Sequence, residues 1–238
     1  MPARSPASPD RSRFLRPVHA GLVVSALLLL WIGQYTDLDL TLADAMYDRA
    51  SGTFPWQHAW LAEDFNHRIL KIALQILGVA TVVTAAWDYF RPQPRWRASW
   101  RAGIRVLALS AIAVPAVISL CKRFSVSHCP WDLQRYGGRE PYIRLLEAMP
   151  ANIDAGHCMP AGHASSALWL LGLAAFWLPH RPRMAAAVAA LMLVFAFGVG
   201  WMQQLRGAHF LTHTLWSVWI AVLIVDVLCR RLIRPAPV

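Results

Sequence analysis

Six stretches of about twenty mostly apolar residues constrain this chain more than any other feature, because a helix of that length crosses the ~30 Å hydrocarbon core of a bilayer. They lie at 17–35, 69–90, 104–121, 162–178, 185–205 and 210–229. In lipid each must satisfy its own backbone, so the expected fold is all-α, a six-helix transmembrane bundle. Of the 238 residues, 57% are hydrophobic and only 15% charged, too little charge to cover a soluble domain of this size. The first stretch follows Arg11, Arg13 and Arg16 as a signal peptide does, yet no small-residue cleavage site follows Trp31, and it reads as a retained span.

The formal charge of +10 raises the question of nucleic acid. The basic residues are scattered between apolar runs and form no stripe, so no nucleic-acid partner is expected and topology accounts for them. With both termini in the cytoplasm, that side carries Arg4, Arg11, Arg13 and Arg16, five arginines from Arg91 to Arg105, Arg181, Arg183, Arg230, Arg231 and Arg234. The other side begins with Asp37, Asp39, Asp44, Asp48, Glu63 and Asp64, an arrangement that obeys the positive-inside rule.

Residues 1–16 read as a disordered basic cytoplasmic tail and 17–235 as a single transmembrane domain. Segment 37–48 sets leucines among acids, the pattern of a short helix lying in the interface or packing on the bundle rim. Phe54, Trp56 and Trp60 read as an aromatic belt. The basic loop 91–105, with Trp96 and Trp100, suits anionic membrane lipid. One long outer loop, 122–160, is rich in charge, Pro and Gly, and is expected to carry short helices and function.

Three clusters fall on the same side. The loop opens with KRFSVSHCPWD, from Lys122 and Arg123 to Asp132, and closes with PAGH, Pro160 to His163. The turn between the last two spans holds QQLRGAHFLTH, with Gln203, Arg206, His209 and His213. A charged residue within a span costs roughly 2.5–3.5 kcal/mol on insertion scales. One such histidine is explained by a bond to a neighbouring helix, but five cationic or imidazole residues from three segments imply an anion or a metal. PAGH puts Gly162 and His163 at a helix start, where free N–H groups attract phosphate. Arg206, His209 and His213, spaced by three and four, share one helical face, subject to a bend at Gly207.

From Lys122 onward the chain resembles the type 2 phosphatidic acid phosphatase and haloperoxidase superfamily, whose motifs run Lys-x6-Arg-Pro, Pro-Ser-Gly-His and Ser-Arg-x5-His-x3-Asp. Lys122 and Pro130 match the first motif, Pro160, Gly162 and His163 the second, and His209 the third. Cys129 stands where the family has Arg, Ala161 where it has Ser, Gln203 where it has Arg, and His213 where it has Asp. The resemblance implies a cofactor-free, metal-independent hydrolase of a lipid phosphate or pyrophosphate, working through a phosphohistidine at the periplasmic face of a bacterial inner membrane. It makes His209 the nucleophile and His163 the acid. His213 takes the place of the carboxylate that orients His209, with Asp132 or Asp154 as carboxylates in reserve. Lys122, Arg206, Arg123 and the Gly162 backbone are expected to hold phosphate oxygens, Arg206 standing in for the arginine lost at Gln203 and Arg123 or Arg135 for the one lost at Cys129.

Cys121 and Cys229 sit at span ends and suit apolar packing, whereas Cys129 and Cys158 flank the motifs and are either free thiols or a disulfide. Three other functions are compatible with these residues. A phosphotransferase would hand the phosphoryl group to a lipid alcohol, and a non-catalytic relative would only bind lipid. A haem or metal protein would use His163, His209 and His213, although Lys122 and Arg206 repel a cation.

Overall fold

The structure, a computed structural model, describes residues 11–233. Residues 1–10 of the expected tail and the final residues of the expected domain lie outside it. In order the chain forms α1 (Arg11–Tyr35), α2 (Leu38–Met46), α3 (Leu61–Phe90), α4 (Ala98–Arg123), α5 (Gly162–Leu168), α6 (Pro182–Leu205) and α7 (Leu211–Leu232). No strand occurs among the described residues.

Five helices, α1, α3, α4, α6 and α7, are long and apolar enough to cross a membrane. The expected span at 162–178 differs. It is α5 followed by a 3₁₀ stretch, Trp169–Trp177, and at about 1.5 and 2.0 Å of rise per residue the two extend for about 28 Å. This is the central element, and His163 to Gly172 are all buried. Its Gly172 lies against α4 so closely that a Cβ there would come within 2.9 Å of Ser110 Oγ and 3.1 Å of Leu107 Cα. Around it pack Leu74, Leu107, Val114, Ile118 and Val199. Aliphatic side chains also cover the outside, among them Val24, Leu27, Val79, Val83, Leu191 and Val194, as expected where the solvent is lipid.

The 122–160 loop is tied down by ion pairs. Arg135 donates to both oxygens of Asp44 on α2, at 2.8 and 2.5 Å, and Arg144 donates to the Thr36 carbonyl at 2.8 Å. α2 belongs to the rim of the bundle. Its buried Asp39 accepts from the Thr212 backbone N–H at 3.0 Å and from the Thr212 hydroxyl, capping the start of α7 from another helix. Burial raises the pKa of that carboxyl and the Thr212 bonds oppose the rise. Phe54 corrects the aromatic-belt expectation: it is 3% exposed and packs with Tyr47 and Tyr136, leaving Trp56 and Trp60 as the exposed aromatics.

Candidate active site

Four helices meet the loop around a cavity of about 910 Å³. At its polar end stand Lys122 from α4, Gly162 and His163 from α5, Gln203 from α6, and His209 from the turn before α7. His67 and Lys71 of α3 complete the ring. Among the described residues no Asp or Glu lines the cavity. Its other end runs between α3 and α4, past Leu74, Gly78, Val82, Ala111 and Pro115, to the exposed Val79, Val83 and Ile112.

The backbone holds the three sequence clusters together. Gly207, at φ +73°, turns the chain from α6 into α7 in a conformation glycine adopts without strain, and its carbonyl accepts from Trp131 N–H at 3.0 Å. Ala161 N–H donates to the His213 carbonyl at 3.0 Å, and Ser217 Oγ donates to the Ala161 carbonyl at 3.0 Å. Lys122 Nζ lies 3.9 Å from where a Cβ on Gly162 would stand, so the ammonium sits over the start of α5.

His209 is 7% exposed, and its Nδ1 lies 3.3 Å from Cys158 Sγ. Cys158 is joined to Cys129 in a disulfide. A disulfide sulfur has no hydrogen and can only accept, so this contact is a hydrogen bond only in the tautomer with the proton on Nδ1, which leaves Nε2 with a lone pair. Burial holds the imidazole pKa well below its usual value, and His213 and Lys122 push it in the same direction. The group of Cys129, Cys158 and His209 has sulfur and nitrogen atoms within 4.8 Å of one another, but metal ligation needs thiolates and these sulfurs are bonded together.

The remaining expected residues are distributed unevenly. His213 does not reach His209 Nδ1; its Nε2 bonds Ser127 Oγ at 3.0 Å, and the two imidazole centroids are 5.8 Å apart. The atom beside His209 Nδ1 is sulfur instead. Arg206 does not line the cavity: its guanidinium donates to the Gln57 carbonyl at 3.0 Å and to Gln203 Oε1 at 3.1 Å, with Glu63 at 3.9 Å. Arg123 is exposed and does not line the cavity, bordering an adjoining depression with Ser119, Lys122 and His157, and Arg135 is spent on Asp44. Neither Asp132 nor Asp154 lines the cavity.

Three residues of α3 escaped the sequence reading. His163 Nε2 lies 3.1 Å from the Asn66 carbonyl and its ring stands over His67, at 4.8 Å between centroids. Lys71 follows one turn on. This part of α3, Leu61–Leu70, is wound as a π-helix, a form that recurs at functional sites. The available signal was the cost of placing Asn66, His67 and Lys71 where an apolar span begins.

The family model for the PAP2 superfamily matches residues 103–233, more than half of the chain. No curated protein and no solved structure matches it.

Proposed function

Because the chain belongs to the PAP2 superfamily, a family of phosphatases, and has five helices apolar enough to span a membrane, we propose that it hydrolyses a lipid phosphate or pyrophosphate through a phosphohistidine. The observation that carries this reading is the cavity itself: two lysines and three imidazoles at one end without a carboxylate, and an apolar groove at the other that opens between α3 and α4. An anionic headgroup with an attached hydrocarbon chain matches both ends. A soluble phosphate ester matches only one.

In this mechanism His209 Nε2 attacks phosphorus and the bond to the leaving oxygen breaks as the N–P bond forms. With its Nε2–H given to the Asn66 carbonyl, His163 has Nδ1 left for proton transfer. That nitrogen protonates the leaving oxygen, then takes a proton from the water that hydrolyses the phosphohistidine. Lys122, Lys71 and the Gly162 N–H hold the equatorial oxygens as charge develops. Arrival of the phosphate supplies the negative charge that lets imidazoles in so basic a site hold protons.

We take Gly162–Trp177 as the sixth crossing, both termini as cytoplasmic and the cavity as facing the periplasm of a bacterial inner membrane. The Cys129–Cys158 disulfide supports this side, because such bonds persist in oxidising compartments. Phosphate release from a panel of lipid mono- and diphosphates in detergent tests the function. Wild type releases phosphate, while His209→Ala and His163→Ala fall by about 10⁴-fold and 10²-fold or more. Equal background release from all three rules out hydrolysis. Transfer of the phosphoryl group to an added lipid alcohol, in place of release of free phosphate, makes the protein a phosphotransferase.

A further inference from the structure

Gln203 is 2% exposed and lines the cavity that His209 also lines, and its Nε2 is buried with no hydrogen-bond partner among the described residues. The two ends of an amide differ in polarity, and which end faces a neighbour is set by that neighbour. Arg206 Nη1, 3.1 Å away, belongs to a guanidinium that can only donate. Its partner must therefore be the amide oxygen, and the NH₂ group is turned away from the arginine. Arg206 is itself fixed by the Gln57 carbonyl at 3.0 Å, by Glu63 at 3.9 Å and by the Trp131 ring, 6.0 Å from its centroid. A buried donor left unpaired costs stability unless a ligand completes it.

We propose that Gln203 is a phosphate-binding residue that donates its Nε2 hydrogens to a non-bridging phosphoryl oxygen, and that Arg206 is a positioning residue that locks the amide in the donating orientation. The inference rests on the reading of the cavity as a phosphate site. It moves Arg206 from direct contact with phosphate to a place behind a neutral donor, which its cation polarises.

The test uses the full-length protein in detergent, with inorganic phosphate and orthovanadate binding measured by calorimetry alongside phosphate release and melting temperature. Gln203→Met removes the donor at similar length and weakens anion binding about 10- to 100-fold, the worth of a hydrogen bond to a charged group. Gln203→Glu still accepts from Arg206 but presents oxygen to oxygen, and loses more. Arg206→Met frees the amide to turn over and weakens binding about 5- to 10-fold, whereas Arg206→Lys, still a pure donor, stays within about threefold of wild type. A merely structural role lowers the melting temperature of Gln203→Met and leaves binding by the folded protein unchanged. The inference is overturned if Gln203→Met binds both anions as tightly as wild type, if Arg206→Lys falls as far as Arg206→Met, or if wild type binds neither anion. Because calorimetry needs no turnover, a protein that binds phosphate through Gln203 yet cleaves no lipid phosphate upholds this inference and sinks the enzymatic one. Hydrolysis with unaltered anion binding in Gln203→Met does the reverse.

Discussion

At the end of the bundle away from the cavity, Asp88 is fully buried and is met by Arg101 at 3.3 Å and Arg105 at 3.9 Å, while Asp226 is met by Arg230 at 2.7 Å and His19 at 3.8 Å. At the cavity end Lys71, Lys122, His67, His163 and His209 face one space, and none of the described acids lines it. Both ends hold charge where burial is expensive. At the first end each of these acids is met by arginine, so the pairs serve the fold. The second presents lysines and imidazoles with no acid among the lining residues, which suits the anionic headgroup proposed for it.

The largest test of this contrast removes one cation from each end. Lys122→Met is expected to lower kcat/KM for a lipid phosphate about 10²- to 10³-fold while leaving the melting temperature in detergent unchanged or higher. Arg101→Met is expected to do the opposite, costing about 3 kcal/mol of stability by stripping the buried Asp88 of a partner, with kcat/KM per folded molecule unchanged. If both variants lose activity and stability together, the two ends are not distinct.

Reduction of Cys129–Cys158 sharpens the comparison, since the far end has no such link among the described residues. The bridge closes a separation of 29 residues, worth about 3 to 4 kcal/mol on the loop-entropy model, and removing it also takes the sulfur from beside His209 Nδ1. A thiol reductant, or Cys129→Ser with Cys158→Ser, should lower kcat about tenfold and lower the melting temperature. Full activity after complete reduction, verified by mass spectrometry, shows that the sulfur does not orient the imidazole.

The pH response is smaller. Burial, reinforced by His213 and Lys122, holds His209 well below the usual 6.5, so it stays neutral and nucleophilic as the pH falls past that value. Between about pH 5 and 8, corrected for ionisation of the substrate, the acid limb of kcat/KM should therefore lie below 6.5. The linked stability has the same sign. The unfolded chain binds the proton first, so this contribution is complete above pH 6.5 and is lost as the pH falls from there toward the folded pKa. An acid limb centred above 6.5 contradicts the burial of His209. Smallest of all, Arg123→Gln should change kcat/KM by less than about twofold, because this arginine is exposed and does not line the cavity; a tenfold loss returns it to the site.

Much of the site was legible because its chemistry is written in short segments. Lys122, Gly162, His163 and His209 come from motifs whose spacing survives in this chain, and all four line the cavity. The motifs make Arg206 and Arg123 phosphate ligands and His213 the group that orients His209, yet none of the three lines the cavity. Arg206 finds carbonyl and carboxylate acceptors in the loop after α2 and in α3, and His213 finds a serine in the 122–160 loop, partners roughly 90 to 150 positions away that no local pattern reveals. His67 and Lys71 were hidden because they open an apolar helix that was read for its length alone.

What the sequence determined by itself is the set of apolar helices and the kind of groups that meet beside them. Hydrophobic length and the cost of charge in lipid are properties of a segment, whatever it packs against. Only the tertiary structure decided that the segment after PAGH is a buried central element, α-helical and then 3₁₀, that sulfur rather than His213 stands behind His209, and that Arg206 bonds the Gln203 amide instead of lining the cavity. Burial and the directionality of a hydrogen bond depend on which atoms meet across elements, and they operate only once the helices have packed.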